Sequence, residues 1–325
     1  MRGAPIRPPW FALVRALLPL ALAACSAQRD APPATLTVFN AGSLARPMRA
    51  ALDSFARREN VTVEQESAGS LESARKITEL GKVPDVIALA DEEVFPQLLV
   101  PEHARWYAGF ARNRMVLAYT DRSKHAAEIS AGNWFDVLAR PGVEVGRADP
   151  NLDPNGYRTL LVLQLAERHY RRPGLAARVL AAIPARNVRP KEADLVALLQ
   201  VGEMDYVWSY ESIARGVGLR YLALPHEIDL GDLADSALYR EASVRVTGKS
   251  PTDSITFRGR PIVYALTIPT RAPSPALAER FVAFLLAPEG VAILRAAKLD
   301  ALDRPVLVGE GAPAAVAALA GDGGR

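Results

Sequence analysis

The chain has 325 residues, of which 50% are hydrophobic, and its formal net charge is +3. That length is enough for two lobes with a sizeable core, and the hydrophobic content excludes a disordered chain. The excess positive charge comes from Arg2, Arg7 and Arg15 in a leader without acids, so the remainder has 36 basic and 36 acidic residues. Because a balanced chain without a basic stripe attracts phosphate backbones weakly, these data argue against nucleic acid as a partner.

The N-terminus has the pattern of an export signal, with a positively charged start and an apolar run over residues 16–24. This run is too short to span a bilayer. It ends in Leu22-Ala23-Ala24-Cys25, which resembles a bacterial lipobox, and Cys25 is the only cysteine. A chance cysteine beside an ordinary cleavage site is the alternative. We predict a lipoprotein signal peptide over 1–24, lipidation of Cys25, and a tether over 25–34. The protein is then exported and held at a membrane surface, periplasmic or on the cell surface.

Two similar strand–turn–helix units follow. The strands are predicted over residues 35–39 and 61–65, and the helices over 46–58 and from about 71. Each turn reads Ala-Gly-Ser, at Gly42-Ser43 and at Gly69-Ser70. Glycine permits close approach of a ligand to the backbone, serine offers a hydroxyl, and the first amides of a helix are free. Either serine alone is typical of a helix cap. Two such turns at neighbouring strand ends predict an anion site formed by Gly42, Ser43, Gly69 and Ser70.

The rest of the chain continues the α/β pattern. A third buried strand over 85–89 completes a βαβαβ unit, and a strand over 114–120 leaves it. Further strands are predicted over 143–146, 205–210, 219–224 and 260–269, with helices over 134–139, 159–171, 195–203, 274–286 and from 288, a helix and hairpin within 229–258, and a loose tail after 309. The prediction is an α/β protein with two lobes joined by two crossing strands: lobe I over 35–113 plus 264–325, and lobe II over 114–263. Such lobes close on ligands in the cleft.

The loop over 149–158 brings a third polar turn to this cleft. Asp153 is either a turn-forming residue or a ligand contact, and the backbone amides of Asn155 and Gly156 are expected donors. Tyr210 ends a strand, where a core role and a cleft role are both open. The basic residues after the turns are expected to be surface charges of helices: Arg46, Arg75, Lys76 and Arg158.

An enzyme is a remote alternative. Ser73 and Lys76 match the S-x-x-K motif of some serine enzymes, but the accompanying motifs of those enzymes are absent. The four histidines show no metal-ligand spacing, so neither a free metal ion nor a cofactor is predicted.

Several motifs carry a resemblance to a known family. They are Val38-Phe39-Asn40-Ala41-Gly42-Ser43-Leu44, Ala68-Gly69-Ser70, Arg75-Lys76-Ile77-Thr78-Glu79-Leu80-Gly81-Lys82, Pro84-Asp85-Val86, Trp106-Tyr107, Phe110-Ala111-Arg112-Asn113, Met115-Val116-Leu117-Ala118-Tyr119-Thr120-Asp121 and Asp149-Pro150-Asn151-Leu152-Asp153-Pro154. Together they resemble the substrate-binding proteins of molybdate/tungstate ABC importers, in the archaeal-type branch. The similarity runs from about residue 35 to 290.

This resemblance implies the two-lobed periplasmic-binding-protein fold of the second topological type. It also implies a molybdate or tungstate ligand, an ABC permease with its ATPase as partners, and a monomer. An aspartate and a glutamate approach the metal centre in that branch. Asp153 is at the aspartate position, Ser209 at the glutamate position, and Glu211 is the nearest acid along the strand. Asn155 replaces the family's cysteine. The alternative ligands are sulfate, phosphate or a small organic acid.

Overall fold

The computed structural model describes residues 34–248 and 252–321, together with Met1 and Gly3. The predicted signal peptide, Cys25 and the tether as far as residue 33 lie outside this part, apart from those two residues. In the described part, no helix has the length and apolar character needed to cross a membrane.

The larger of two main sheets has six strands in the order β13-β4-β12-β3-β1-β2. Its strands are β1 (Thr35–Ala41), β2 (Thr62–Ala68), β3 (Val86–Leu89), β4 (Trp106–Asn113), β12 (Ile262–Thr267) and β13 (Asp300–Gly309). Its helices are α1 (Ala45–Glu59), α2 (Ser70–Thr78), α9 (Pro275–Leu286), α10 (Pro288–Ala296) and α11 (Ala314–Ala317). We call the part built on this sheet lobe I. All four residues of β3 are buried, as expected for an apolar strand at the centre of a covered sheet.

The smaller sheet has five strands in the order β7-β6-β8-β5-β9, and a separate hairpin pairs β10 with β11. The strands are β5 (Met115–Tyr119), β6 (Val145–Ala148), β7 (Val188–Arg189), β8 (Tyr206–Tyr210), β9 (Arg220–Ala223), β10 (Ser243–Thr247) and β11 (Ser254–Arg258). The helices are α3 (Trp134–Leu138), α4 (Pro154–His169), α5 (Leu175–Ala181), α6 (Glu192–Val201), α7 (Glu211–Gly216) and α8 (Ser236–Tyr239). We call this part lobe II.

The chain passes between the sheets twice. Arg114 separates β4 of the larger sheet from β5 of the smaller one, and residues 259–261 separate β11 from β12. The predicted α/β architecture with two crossing segments is confirmed. The predicted lobe boundaries stay a prediction.

Two strands of the larger sheet were missed in the sequence. β4 is separated from β5 by Arg114 alone, so the sequence contains no loop that would mark them as two strands. β13 contains Pro305, lies at the sheet edge, and shifts register against β4 between Ala301 and Val306. Proline is tolerated at an edge strand but removes the sequence signal for one, so only pairing with β4 defines β13.

The helix after the loop of lobe II also differs from the prediction. It begins at Pro154 rather than at residue 159, and Asp153 is its N-cap residue, accepting a hydrogen bond from the Asn155 amide. Proline is favoured in the first turn of a helix because its missing N–H has no partner there. Asn155, Gly156 and Arg158 therefore belong to the helix and not to a loop.

Candidate functional site: an anion site between the lobes

The two Ala-Gly-Ser turns lie side by side. β1 and β2 are parallel neighbours, and Ala41 of β1 pairs with Ala68 of β2. In each unit the chain turns directly after that residue and starts a helix. The register therefore brings Ser43 and Ser70 to the same edge of the sheet, with helix N-termini behind both. This arrangement favours a negatively charged ligand.

Ser43 is buried and is held by Tyr264 of β12. The Tyr264 hydroxyl donates to Ser43 Oγ over 3.0 Å. The same hydroxyl accepts from Asn113 Nδ2 over 3.0 Å. Because the Tyr264 hydrogen is committed to Ser43, the hydrogen of the Ser43 hydroxyl is left for another acceptor.

Ser70 is fully buried, and its hydroxyl, like that of Ser43, accepts a hydrogen bond from the protein. Its Oγ accepts from the Ala90 amide over 3.0 Å, and no described acceptor takes its hydroxyl hydrogen. Both serines thus accept from the protein and keep a hydrogen to donate. A fully deprotonated oxyanion, which offers only acceptors, is complementary to such a pair.

Arg158 is part of the site, which corrects the prediction of a surface charge. It is 2% exposed. Its Nη1 donates to the Ala90 carbonyl over 2.7 Å and to the Tyr210 hydroxyl over 2.8 Å. Its Nη2 is 3.1 Å from a carboxylate oxygen of Asp91. Arg158 belongs to lobe II, whereas Ala90 and Asp91 follow β3 of lobe I, so this guanidinium joins the lobes.

The Asp153 carboxylate accepts hydrogen bonds that fix the loop before α4 in lobe II. Its Oδ1 accepts from the Asn155 amide over 2.9 Å, and its Oδ2 accepts from the Glu192 amide over 3.2 Å. The Gly156 amide donates to the Asp153 carbonyl over 2.9 Å. The amides of Asn155 and Gly156, predicted as donors to a ligand, are therefore already used within the loop. A Cβ at Gly156 would lie within 2.6 Å of backbone atoms, so this glycine is required by packing.

Glu192 lies among the candidate site residues and was not identified in the sequence. It opens α6 and is 1% exposed. Its Oε1 accepts from Ser209 Oγ over 2.5 Å and from the Tyr210 amide over 2.7 Å. Burial raises the pKa of the Glu192 carboxyl to about 8, and the neighbouring Asp153 carboxyl adds to the rise. Burial raises the pKa of Asp153 to about 6 despite the amides that donate to it.

The structure separates the three candidates at the end of β8. Ser209 donates its hydroxyl hydrogen to Glu192 Oε1, so this hydrogen is not left for a ligand. The buried Tyr210 ring packs edge-to-face on Tyr264, with 5.9 Å between the ring centroids. Glu211 begins α7 and lies apart, where its carboxylate pairs with Arg114 at 3.3 Å and accepts from the Tyr221 hydroxyl. Neither Ser209 nor Glu211 therefore supplies the second carboxyl beside Asp153, where the structure has Glu192.

Two buried side-chain acceptors at this place, Asn155 Oδ1 and Glu192 Oε2, have no hydrogen-bond partner among the described residues. Arg158 Nη2, also buried, has the ion pair with Asp91 but no hydrogen bond. Asn155 is tied to Trp208 through its Nδ2, which donates to the Trp208 carbonyl over 3.2 Å. Buried polar groups are rarely left unpaired, so these two acceptors point to a polar ligand here.

The lobes touch directly beside the site. A Cβ at Gly69 would lie 2.2 Å from the Leu152 carbonyl oxygen of lobe II. The Glu72 amide donates to the same oxygen over 3.3 Å. Arg75 donates to the carbonyls of Asn151 over 2.7 Å and Thr247 over 2.6 Å. Arg75, predicted as a surface charge, therefore joins the C-terminal half of α2 to lobe II.

The remaining basic residues behave differently. Arg46 is exposed and donates to the Gly216 carbonyl over 2.6 Å. Lys76 pairs with Glu66 at 2.6 Å and with Glu72 at 2.9 Å. Burial lowers the Lys76 pKa, but the hydrogen bonds to these two carboxylates outweigh burial and the pKa is raised. A lysine that holds its proton this firmly is a poor base for activating Ser73.

The fold is that of a two-lobed binding protein, and the residues described above form a candidate anion site in the cleft between its lobes. The chain belongs to the bacterial extracellular solute-binding protein family, whose family model matches residues 36–297.

Two relatives and one solved structure illustrate the similarity. An uncharacterized solute-binding protein of Petrotoga mobilis is 44% identical over 260 residues, covering 80% of this chain and 81% of that protein. The molybdate/tungstate-binding protein WtpA of Pyrococcus abyssi is 36% identical over 305 residues, covering 85% and 87% respectively. The structure of the sulfate-binding protein SubI from Mycobacterium tuberculosis matches with a TM-score of 0.58 and 15% identity, covering 88% of this chain and 90% of that one. This last likeness concerns the fold alone.

Proposed function

We propose that this protein captures molybdate or tungstate in the cleft between its lobes and delivers it to an ABC importer. The observation that carries the proposal is the pair of buried hydroxyls at Ser43 and Ser70, each of which accepts from the protein and keeps its hydrogen. The 36% identity to a molybdate/tungstate-binding protein supports the choice of oxyanion. In a cleft closed to water, hydrogen bonds to a dianion are strong because the local dielectric is low.

Asp153 and Glu192 form the second half of the proposed site. A carboxylate beside a dianion is repelled unless it is protonated or bonds the central atom. Molybdenum and tungsten accept additional oxygen ligands, whereas sulfur in sulfate does not. We assign the two carboxyls to the central atom, with Ser209 and the Tyr210 amide orienting Glu192. In this assignment Glu192 of α6 supplies the acid that position 209 lacks.

The setting of the protein follows from the same proposal. The exported chain is anchored through lipidated Cys25 at the periplasmic or cell surface, acts as a monomer, and meets a permease with its ATPase. It works as a carrier and not as an enzyme, without a cofactor. Residues 35–113 with 264–325 and residues 114–263 are the two lobes, and closure turns about the segments between them. Incorporation of a fatty-acid analogue into the full chain, and its loss in Cys25→Ser, tests the anchor.

Calorimetric titration of the protein from Ser26 onward with molybdate, tungstate, sulfate and phosphate tests the ligand. We expect tight binding of the first two and weak or absent binding of the others. Ser43→Ala and Ser70→Ala should each weaken molybdate binding by roughly 1–3 kcal/mol, because an acceptor of the buried ligand loses its donor. Ser73→Ala is the matched control, since it removes a buried hydroxyl one helical turn after Ser70.

The alternatives predict different results. Preference for sulfate or phosphate keeps the fold and the serine pair but replaces the ligand. Binding of a small organic acid that is lost in Arg158→Gln and kept in Ser43→Ala would replace the oxyanion by a carboxylate. Unchanged molybdate affinity in both serine variants would remove the serine pair from the site.

A further inference from the structure

Besides the anion site, a cavity lies where the chain crosses between the lobes. Its volume is about 460 Å³, and its lining includes Arg112, Arg295 and Lys298 of lobe I with Arg215 of lobe II. Arg114, the residue between β4 and β5, also lines it. We call it the hinge cavity. Small-molecule sites have volumes of this order and often lie at domain interfaces.

The cations of the hinge cavity are not all neutralised. Arg114 is paired with Glu211 at 3.3 Å and Asp229 at 3.6 Å, and Arg295 with Asp303 at 2.8 Å. By contrast, the half-buried Arg112 and the exposed Lys298 have no ion-pair or side-chain hydrogen-bond partner among the described residues. A bound anionic group would give Arg112 and Lys298 the charge-assisted hydrogen bonds that the described protein groups do not supply.

Lys298 also has an unusual backbone. Its φ is 70°, in the left-handed region, and it follows the C-terminus of α10. Glycine is the residue usually found at this place, since a Cβ is unfavourable there. Lys298 therefore occupies a position where glycine would be less strained, and its ammonium group pairs with no acid among the described residues.

The hinge cavity is connected to the oxyanion site by a short chain of hydrogen bonds. Asn113 and Ser212 line the cavity, and Asn113 Nδ2 donates to Ser212 Oγ over 2.7 Å. Asn113 also donates to the Tyr264 hydroxyl, which donates to Ser43. Because the lining comes from both lobes, the shape of the cavity depends on their relative position.

We propose that the hinge cavity is a second anion site, which takes a small molecule with two or more anionic groups and holds the lobes in the closed arrangement. The cavity is much larger than a single tetrahedral oxyanion needs, and its partnerless cations match separated phosphate or carboxylate groups. A ligand that binds the closed arrangement raises the affinity of the cleft for its own ligand, and by linkage the reverse holds equally.

Calorimetric titration with inorganic diphosphate, using the protein from Ser26 onward, tests the second site. We expect binding that the double variant Arg112→Gln/Lys298→Gln weakens by at least about tenfold. The matched control is Arg57→Gln/Lys82→Gln, which removes the same charge from exposed positions of lobe I. Diphosphate binding should survive in Ser43→Ala/Ser70→Ala, which separates this site from the cleft.

Lys298→Gly distinguishes a ligand contact from a structural role. Because glycine suits the left-handed conformation, this variant should keep or raise the melting temperature while it loses diphosphate affinity. No diphosphate binding, binding that disappears with the two serines, or equal weakening in the control double variant would each overturn the proposal. Failure of molybdate to bind the cleft would leave the diphosphate result unaffected, so the two proposals fail separately.

Discussion

The Glu192 carboxyl has one oxygen bonded by two donors and the other buried without a partner. The two donors, the Ser209 hydroxyl and the Tyr210 amide, fix its orientation, so Oε2 is the atom left for a ligand. Asp153 differs, because both its oxygens accept amides. At the scale of single residues, the proposed site therefore has two hydroxyl donors on lobe I. Lobe II adds the Glu192 oxygen that has no protein partner and the Asp153 carboxyl, whose oxygens each keep a lone pair for the central atom.

Glu192→Gln tests that role. A glutamine keeps the size of the side chain, and its oxygen can still accept from Ser209, but a neutral amide is a weaker ligand for a metal centre. We expect molybdate and tungstate affinity to fall by about tenfold or more, which is ~1.4 kcal/mol, with sulfate affinity unchanged or higher. Calorimetry on both anions measures this. Glu211→Gln is the control, and equal affinities in the two variants would make Glu192 a purely structural acid.

At the scale of elements, one close contact between the lobes is between the N-terminus of α2 and the loop before α4. Gly69 lets the Leu152 carbonyl approach, and the Glu72 amide donates to that carbonyl. The equivalent Gly42 is different, since a Cβ there would meet nothing closer than 4.0 Å. The two units look alike in sequence, yet only the second requires glycine for packing against the other lobe.

Gly69→Ala is expected to block closure without unfolding either lobe. Its φ of −63° suits alanine, so the conflict is with the Leu152 carbonyl, whose oxygen and carbon would lie 2.2 Å and 2.8 Å from the new Cβ. Small-angle scattering should show the wild-type protein becoming more compact with molybdate and the variant staying extended, with weaker binding. Gly132→Ala, where a Cβ meets nothing within 4 Å, is the control. Normal compaction in Gly69→Ala would show that closure does not need this contact.

At the scale of the whole molecule, the buried carboxyls connect stability to pH. The pKa of Glu192 is raised from 4.5 to about 8, so the folded state keeps a proton that the unfolded chain loses in this interval. The folded state then binds more protons, and stability must fall as the pH rises through that window. Asp153 acts in the same direction up to a pKa of about 6.

Urea unfolding of the ligand-free protein at pH about 5 and about 8 measures this effect. The free energy of unfolding should fall between the two, and Glu192→Gln should reduce the fall because its side chain does not titrate. Glu211→Gln should keep the wild-type difference. Parallel pH dependence in wild type and Glu192→Gln would mean that Glu192 is ionised in the folded protein.

The sequence by itself determined the α/β pattern, the two crossings between lobes and the pair of Ala-Gly-Ser turns. These follow from local signals: apolar strands, helix periodicity, and small residues where a strand gives way to a helix. Ser43 and Ser70 could be placed together because neighbouring parallel strands end at the same sheet edge.

Only the tertiary structure showed that Glu192 and Arg158 are buried at the candidate site and that the hinge cavity exists. Glu192, Arg158 and Lys298 lie in stretches whose local patterns are those of ordinary charged surface residues. Glu192 and Arg158 are buried because segments far apart in the chain pack over them, at Ser209 and at Ala90. Lys298 faces a cavity that exists only where two lobes meet. Burial and partners of this kind depend on contacts between distant segments, and a local pattern carries no record of them.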